Sequence, residues 1–324
     1  MKAPAFWDDP KSPLGRALEP IGWIYAQATA RRLARATPWK SRLPVICVGN
    51  LTAGGAGKTP VVRAIAGMLA TRGARPAILS RGYGGRLRGP IRVDLAAHSA
   101  ADVGDEPLML AQGLACWIAR DRAEGARAIA ASDADAIVMD DGLQNPDLVQ
   151  DLRLIVVDGL TGFGNGRVIP AGPLRETVTM GIARADALIV LGQDRHSLDR
   201  AFSGLLPVIR ARLRRQGGPS LPGMRVIAFA GIGYPGKFKD TLEEGGARIV
   251  AFHGFPDHHP YAESELKRLA NQAAEAGAML LTTEKDWIRL NPFWRTQIAH
   301  VPVALQWDDD ADIALLIEKV FPIG

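Results

Sequence analysis

Short apolar runs recur along the chain, each bounded by glycine, proline or charge: PVICV (44–48), PAILS (76–80), CWIA (116–119), AIVMDD (136–141), LRLIVVD (152–158) and ALIVLG (187–192). Unbroken runs of this length predict strands buried on both faces. Between them lie segments with helical spacing. One runs from Lys58 to about Thr71, with Pro60 in its first turn and Gly73 past its end. Others run from Asp105 to about Leu114 and from Arg120 to Ala131. Alternating strand and helix predict an α/β fold with a doubly wound, mostly parallel sheet. The polar, Gly- and Pro-containing stretch RARLRRQGGPSLPG (210–223) reads as a boundary. A second α/β pattern follows, with strands at 225–233, 248–252, 278–283 and about 301–306, and helices near 236–245, 262–276 and 311–320. The expected organisation is an N-terminal segment (1–43), a larger domain (44–215) and a smaller one (216–324).

The N-terminal segment has its own pattern. Leu14, Leu18, Ile21, Tyr25 and Ala28 fall on one helical stripe, widened by Trp23 and Ile24 and followed by Arg31, Arg32 and Arg35. Such a helix either lies in a membrane interface, with arginines on anionic lipid, or packs on its own core with a solvated basic end. The formal net charge of +5 belongs to this segment, because residues 1–43 hold eight basic and three acidic side chains and the rest of the chain balances. A neutral remainder without a recognisable RNA- or DNA-binding module argues against a nucleic-acid partner. The two cysteines, Cys47 and Cys116, are too few and too far apart for a disulfide framework or zinc knuckle. No secretory leader and no apolar stretch of spanning length is expected.

The first candidate chemistry is VICVGNLTAGGAGKTP (45–60). It ends in Gly57-Lys58-Thr59 as a phosphate-binding loop should, but Thr52 stands where the G-x-x-x-x-G-K-[ST] pattern begins with glycine. A buried strand precedes it and a helix follows, the context such a loop needs. Residues Thr52, Ala53, Gly54, Gly55, Ala56, Gly57, Lys58 and Thr59 are therefore the expected nucleotide site. Lys58 reaches the β- and γ-phosphates of ATP, and the Thr59 hydroxyl sits on Mg²⁺. The strand ending in Asp140-Asp141 resembles the acidic strand of such sites, with one of the pair expected on the metal.

Further candidates sit at predicted strand ends and loops: SRGYGG (80–85), GDEP (104–107), DGLQ (141–144), PAGPLRE (170–176) and FPDHHPY (255–261). Arg81 or Arg175 could hold a substrate phosphate or serve in a surface ion pair. Asp105 is either a base or a helix cap. Glu106, Gln144 and Glu176 complete the list, and Glu176 either tunes the metal or positions the acceptor. A phosphate loop by itself also suits a switch or motor ATPase acting on a protein partner.

Taken together and in this order, VGNLTAGGAGKTP, SRGYGG, GDEP, DDGLQ, PAGPLRE, FPDHHPY and TTEKDWIRL (282–290), with Phe6, Trp7, Pro20 and Tyr25, resemble the tetraacyldisaccharide 4'-kinases of lipid A biosynthesis over nearly the whole chain. In that family threonine occupies the same first position of the loop. The resemblance implies a peripheral enzyme on the cytoplasmic face of the inner membrane, held there by its N-terminal helix, with no obligate protein partner. It implies transfer of the γ-phosphate of ATP, with Mg²⁺, to the 4'-hydroxyl of a lipid disaccharide 1-phosphate. It gives Asp105 the role of base, paired with a histidine of the DHH motif, His258 in preference to His259.

Overall fold

The computed structural model describes residues 4–322. Its strands are β1 (Val45–Gly49), β2 (Pro76–Ser80), β3 (Ile91–Arg92), β4 (Ala115–Ile118), β5 (Ala136–Asp140), β6 (Leu152–Asp158), β7 (Ala187–Leu191), β8 (Val208–Arg215), β9 (Arg225–Ala230), β10 (Arg248–Gly254), β11 (Met279–Thr283), β12 (Ala299–Val301) and β13 (Val303–Trp307). Among the described residues they form two sheets, ordered β13-β8-β7-β6-β1-β5-β2-β4-β3 and β10-β9-β11-β12.

The chain forms two compact units, one of residues 4–213 and 305–322, the other Arg214–Ala304. In the first, β1 runs parallel to β5 on one side and β6 on the other, with Val48 in register with both Asp140 and Leu154. The apolar runs are buried along their whole length in β1, β2, β5 and β7. Helix α2 (Lys58–Thr71) buries Val61, Val62, Ile65, Ala66 and Leu69 against this sheet. In the second unit β9 alternates: Ile227 and Phe229 pack with Leu266 and Leu269, while Val226 and Ala228 pack with Phe238 and Leu242. The period of two puts a helix on each face of the sheet.

Several sequence expectations change. The stretch from 210 is a strand before it is a linker: β8 alternates, burying Ile209 and Ala211 and exposing Arg210 and Arg212, and the arginines masked its period. The helix from Asp105 stops at Leu110, and Gly113 follows with a left-handed φ of 87°. The strand expected at 301–306 is divided at Pro302, which cannot donate to a ladder. The division into domains also differs. Residues 305–322 leave the second unit and join the first, where Asp308 accepts from Arg212 at 2.9 Å. The N-terminal segment is not separate but packs within that unit.

Helix α1 (Pro13–Arg35) starts at Ser12, whose side chain accepts from the Gly15 amide, with Pro13 in its first turn. It packs through small residues, Gly15, Gly22, Ala26 and Thr29, rather than through the stripe of large ones. Leu14, Ile21, Tyr25 and Ala28 lie next to that face and are exposed, as are Trp23 (64%) and Ile24 (62%). A Cβ on Gly22 would stand 2.6 Å from the Val168 carbonyl oxygen. The preceding residues are held as well, with Trp7 Nε1 donating to Pro170 O and Asn165 Nδ2 to Phe6 O, each at 3.1 Å.

Two helical glycines should therefore respond with opposite sign. Gly22→Ala should destabilise the first unit by roughly 1–3 kcal/mol, because the backbone it meets cannot yield cheaply. Gly67→Ala in α2, where an added Cβ meets nothing within 4 Å, should stabilise by about 0.5–1 kcal/mol. Denaturant titration of both variants checks the pair.

Candidate functional site

Between β1 and α2 the chain forms a loop at the C-terminal ends of parallel strands, where this architecture places ligands. Gly57 caps α2 in the left-handed region (φ 77°), and a Cβ there would lie 2.6 Å from Leu191 Cδ1. Thr52 needs no such conformation. Among the described residues other than glycine, positive φ occurs at Asp141, Ser197 and His258. Thr52 instead forms an antiparallel bridge with Leu174, the Ala53 amide donates to Pro173 O at 2.7 Å, and the Arg175 amide to Leu51 O at 2.7 Å. The PAGPLRE segment is thus the wall of the loop's entry, which answers why threonine stands where glycine is usual.

Asn50 holds the loop from beneath, fully buried. Its Nδ2 donates to the Thr52 carbonyl (2.8 Å) and hydroxyl (3.2 Å), and its Oδ1 accepts from Lys58 Nζ at 3.1 Å. Lys58 also lies 3.7 Å from Asp141 Oδ1. Thr59 is the second residue of α2.

The acidic strand end sits alongside, because β5 neighbours β1 and the Asp141 amide donates to Val48 O at 2.9 Å. Asp140 is buried, and Ser80 at the end of β2 donates to its Oδ2 at 3.3 Å. Burial, reinforced by the charge of Glu106 and opposed by Lys58, pushes its pKa up to about 7. Burial acts upward on Asp141 too, but Lys58 and Arg175 outweigh it and hold that carboxyl below its ordinary value. Arg175 Nη1 lies 2.8 Å from Asp141 Oδ1. Of the two arginines left open, Arg175 is therefore an ion-paired member of this cluster, while Arg81 stands exposed at the end of β2.

Glu176 is fully buried, accepts from Gln144 Nε2 at 2.9 Å and pairs with Arg184 at 2.5 Å. Gln144 Nε2 also donates to Asn50 O at 3.1 Å. Glu176 thus ties the DGLQ turn to the phosphate loop. Asp105 is buried and is the first residue of its helix; Gly104 is the cap, and Asp105 Oδ1 accepts from the Glu106 amide at 3.0 Å. Sequence reasoning passed over Asn50, Arg122 and Arg184. Arg122, buried at the start of the helix Arg122–Ala130, donates to Ala119 O and to the Asp140 carbonyl. Its position after β4, at a strand end like the others, was the available signal.

In the second unit, loops leave the C-terminal ends of β9 and β10, and a short helix, Glu284–Trp287, starts directly at the end of β11. His259 stacks on Phe255 (4.7 Å between centroids) and its Nε2 lies 3.0 Å from Glu265 Oε2, so it is a packed residue. His258 has a left-handed φ of 58°, and its amide donates to Asp257 Oδ1 at 3.1 Å.

The donor set around Asp140 and Asp141 bears on Mg²⁺ through its chemistry. Among the described residues no three metal-ligating side chains converge as a ready cage. A buried carboxyl with a raised pKa, a second carboxyl beside it and a hydroxyl at the start of α2 do fit an ion completed by phosphate and water.

A glycine-rich loop between a buried strand and a helix, its lysine beside an acidic strand end, defines a P-loop nucleotide-binding protein. The family described as Tetraacyldisaccharide-1-P 4'-kinase (LpxK) matches residues 14–321. The tetraacyldisaccharide 4'-kinase of Rhodospirillum centenum is 52% identical over 315 residues, covering 95% of this chain and 94% of that one. That of Gluconacetobacter diazotrophicus is 53% identical over 312 residues, covering 95% of each. The crystal structure of LpxK from Aquifex aeolicus in complex with ATP superposes with a TM-score of 0.78 at 28% identity, covering 95% of this chain and 99% of that one. The chain belongs to the tetraacyldisaccharide 4'-kinase family.

The raised Asp140 makes the nucleotide-free protein pH-sensitive. Its folded pKa of about 7 lies above the ordinary 3.8, so the native state binds the extra proton between these values and stability falls as pH rises through them. Asp141, held low, acts only below that window, where its contribution is lost as pH falls. Thermal denaturation should show a decline in melting temperature from pH 4 towards 7 that Asp140→Asn flattens.

Proposed function

We propose that the protein transfers the γ-phosphoryl group of ATP to the 4'-hydroxyl of a tetraacyldisaccharide 1-phosphate, the step that gives the family its name. The observation that carries this reading is the Gly57-Lys58-Thr59 end of the loop, with Lys58 held between Asn50 and Asp141. The acceptor oxygen forms a bond to Pγ, the bond from Pγ to the β,γ-bridging oxygen breaks, and ADP leaves. The hydroxyl proton passes to Asp105, whose carboxylate is the base, with His258 as its imidazole partner.

Lys58 and the amides of residues 53–58 offset charge on the phosphates as the γ-group departs. Thr59, Asp140 and Asp141 would hold Mg²⁺, which when bound neutralises the phosphate oxygens. Arg175 orients Asp141, and Glu176 orients Gln144, so both act on the site through another side chain. Arg81, exposed at the strand end, and Glu106, beside Asp140, are assigned to the acceptor's side of the site.

Helix α1 is assigned to the membrane surface. No helix among the described residues is long and apolar enough to cross a bilayer. The exposed Leu14, Ile21, Trp23 and Ile24 on a helix ending in Arg31, Arg32 and Arg35 suit an interfacial position on anionic lipid, as at the cytoplasmic face of an inner membrane.

With γ-labelled ATP, Mg²⁺ and the lipid acceptor in mixed micelles, wild type should label the lipid. Asp105→Ala and Lys58→Ala should each lose about 10²–10⁴-fold in kcat. Label appearing only as free phosphate would instead favour an ATPase. In a separate measurement, Trp23→Ser with Ile24→Ser should weaken binding to anionic vesicles by about tenfold or more, since each side chain contributes about 1.5–3 kcal/mol when buried. Unchanged sedimentation with vesicles would remove α1 from the membrane.

A further inference from the structure

The TTEKD segment has no part in the reaction as described, yet it is built around the loop that carries His258. Asp286 is fully buried and is a hub for three chain segments. It accepts from the Gly231 amide at the end of β9 (3.0 Å), from Tyr261 Oη at the end of the FPDHHPY loop (2.8 Å) and from Thr283 Oγ1 at the end of β11 (2.6 Å). Arg289 balances its charge and also donates to Gly231 O at 3.2 Å. The hub fixes where the neighbouring Lys285 can stand. Lys285 Nζ lies 3.1 Å from His258 Nε2 and 3.3 Å from Asp257 Oδ1.

We infer that Lys285 is a positioning residue that sets the tautomer of His258. An ammonium has donors only, so the His258 Nε2 it meets must accept, and the proton of the neutral ring resides on Nδ1. The nearby carboxylate favours the opposite state. Asp257 Oδ2 lies 3.7 Å from the same Nε2 and, without Lys285, favours a proton there. Lys285 occupies the carboxylate and turns the ring's donor to the other nitrogen. Nδ1–H is then the donor His258 offers to a carboxylate base. This role rests on the reading of His258 as partner of Asp105; the tautomer itself does not.

The test is nitrogen-15 NMR of the full-length protein labelled at histidine, with His258→Ala assigning the resonance among the six histidines. At a pH where the ring is neutral, wild type should show Nδ1 protonated and Nε2 bare. A wild-type ring protonated at Nε2, or an even mixture, overturns the inference without any variant. Lys285→Met should move the proton to Nε2 and lower kcat at least about tenfold with little change in KM for ATP, and Lys285→Arg should restore the wild-type tautomer. An unchanged tautomer in folded Lys285→Met sinks the inference. Full activity in His258→Ala would sink the role of His258 instead, and leave the tautomer standing.

Discussion

One buried side-chain amide sets the shape of the phosphate loop. Asn50 directs its donors to the Thr52 carbonyl and hydroxyl and its acceptor to the ammonium of Lys58. A backbone turn with several glycines has little stiffness of its own, since glycine loses more freedom on folding than any other residue. The amide replaces that missing stiffness with hydrogen bonds from a side chain that is itself fully buried, where leaving any of them unmade costs more than in solvent. Gln144 reaches the carbonyl of the same residue, and through Gln144 the buried Glu176 and its partner Arg184 join the frame. The electrostatics follow from this frame. Lys58 is held close enough to the acidic strand end to favour the charge on Asp141, yet Asp140, deeper and beside Glu106, stays easily protonated.

Much of this was legible in the sequence. Unbroken apolar runs placed β2 and β6 to the residue, and the helix from Lys58 to Thr71 was bounded by its own proline and glycine. The phosphate loop and acidic strand end were readable because both are local: each needs only a few consecutive residues. What escaped was non-local. Nothing in the residues around Thr52 announces that its partner is Leu174, more than a hundred positions away. The return of residues 305–322 to the first unit is likewise a matter of topology, invisible to periodicity. The N-terminal helix left two readings open, a membrane face or a packing face. Its large apolar residues stay exposed; close approach to the Val168 carbonyl favours glycine, so the small residues carry the internal contact, which a search for large apolar side chains does not detect.

Both units follow one plan despite their different sizes. Each is a sheet with parallel strands at its centre whose candidate groups gather where those strands end, on loops held by a buried acidic residue. Glu176 does this in the first unit and Asp286 in the second. Each is paired with an arginine and with neutral donors, the condition under which a buried carboxylate is tolerated. These carboxylates hold the groups around them, Gln144 in the first unit and Tyr261 and Thr283 in the second.

The stretch from Asn165 to Glu176 serves two neighbours at once. Its first half seats α1, through Val168 and Ala171, and receives Phe6 and Trp7. Its second half bridges Thr52 and carries Arg175 to Asp141. The N-terminal helix and the nucleotide pocket are therefore not separable parts. Trimming α1 to make the protein easier to handle in solution would bare the underside of the very strip that forms the pocket's wall, so solubility and nucleotide affinity cannot be engineered one at a time.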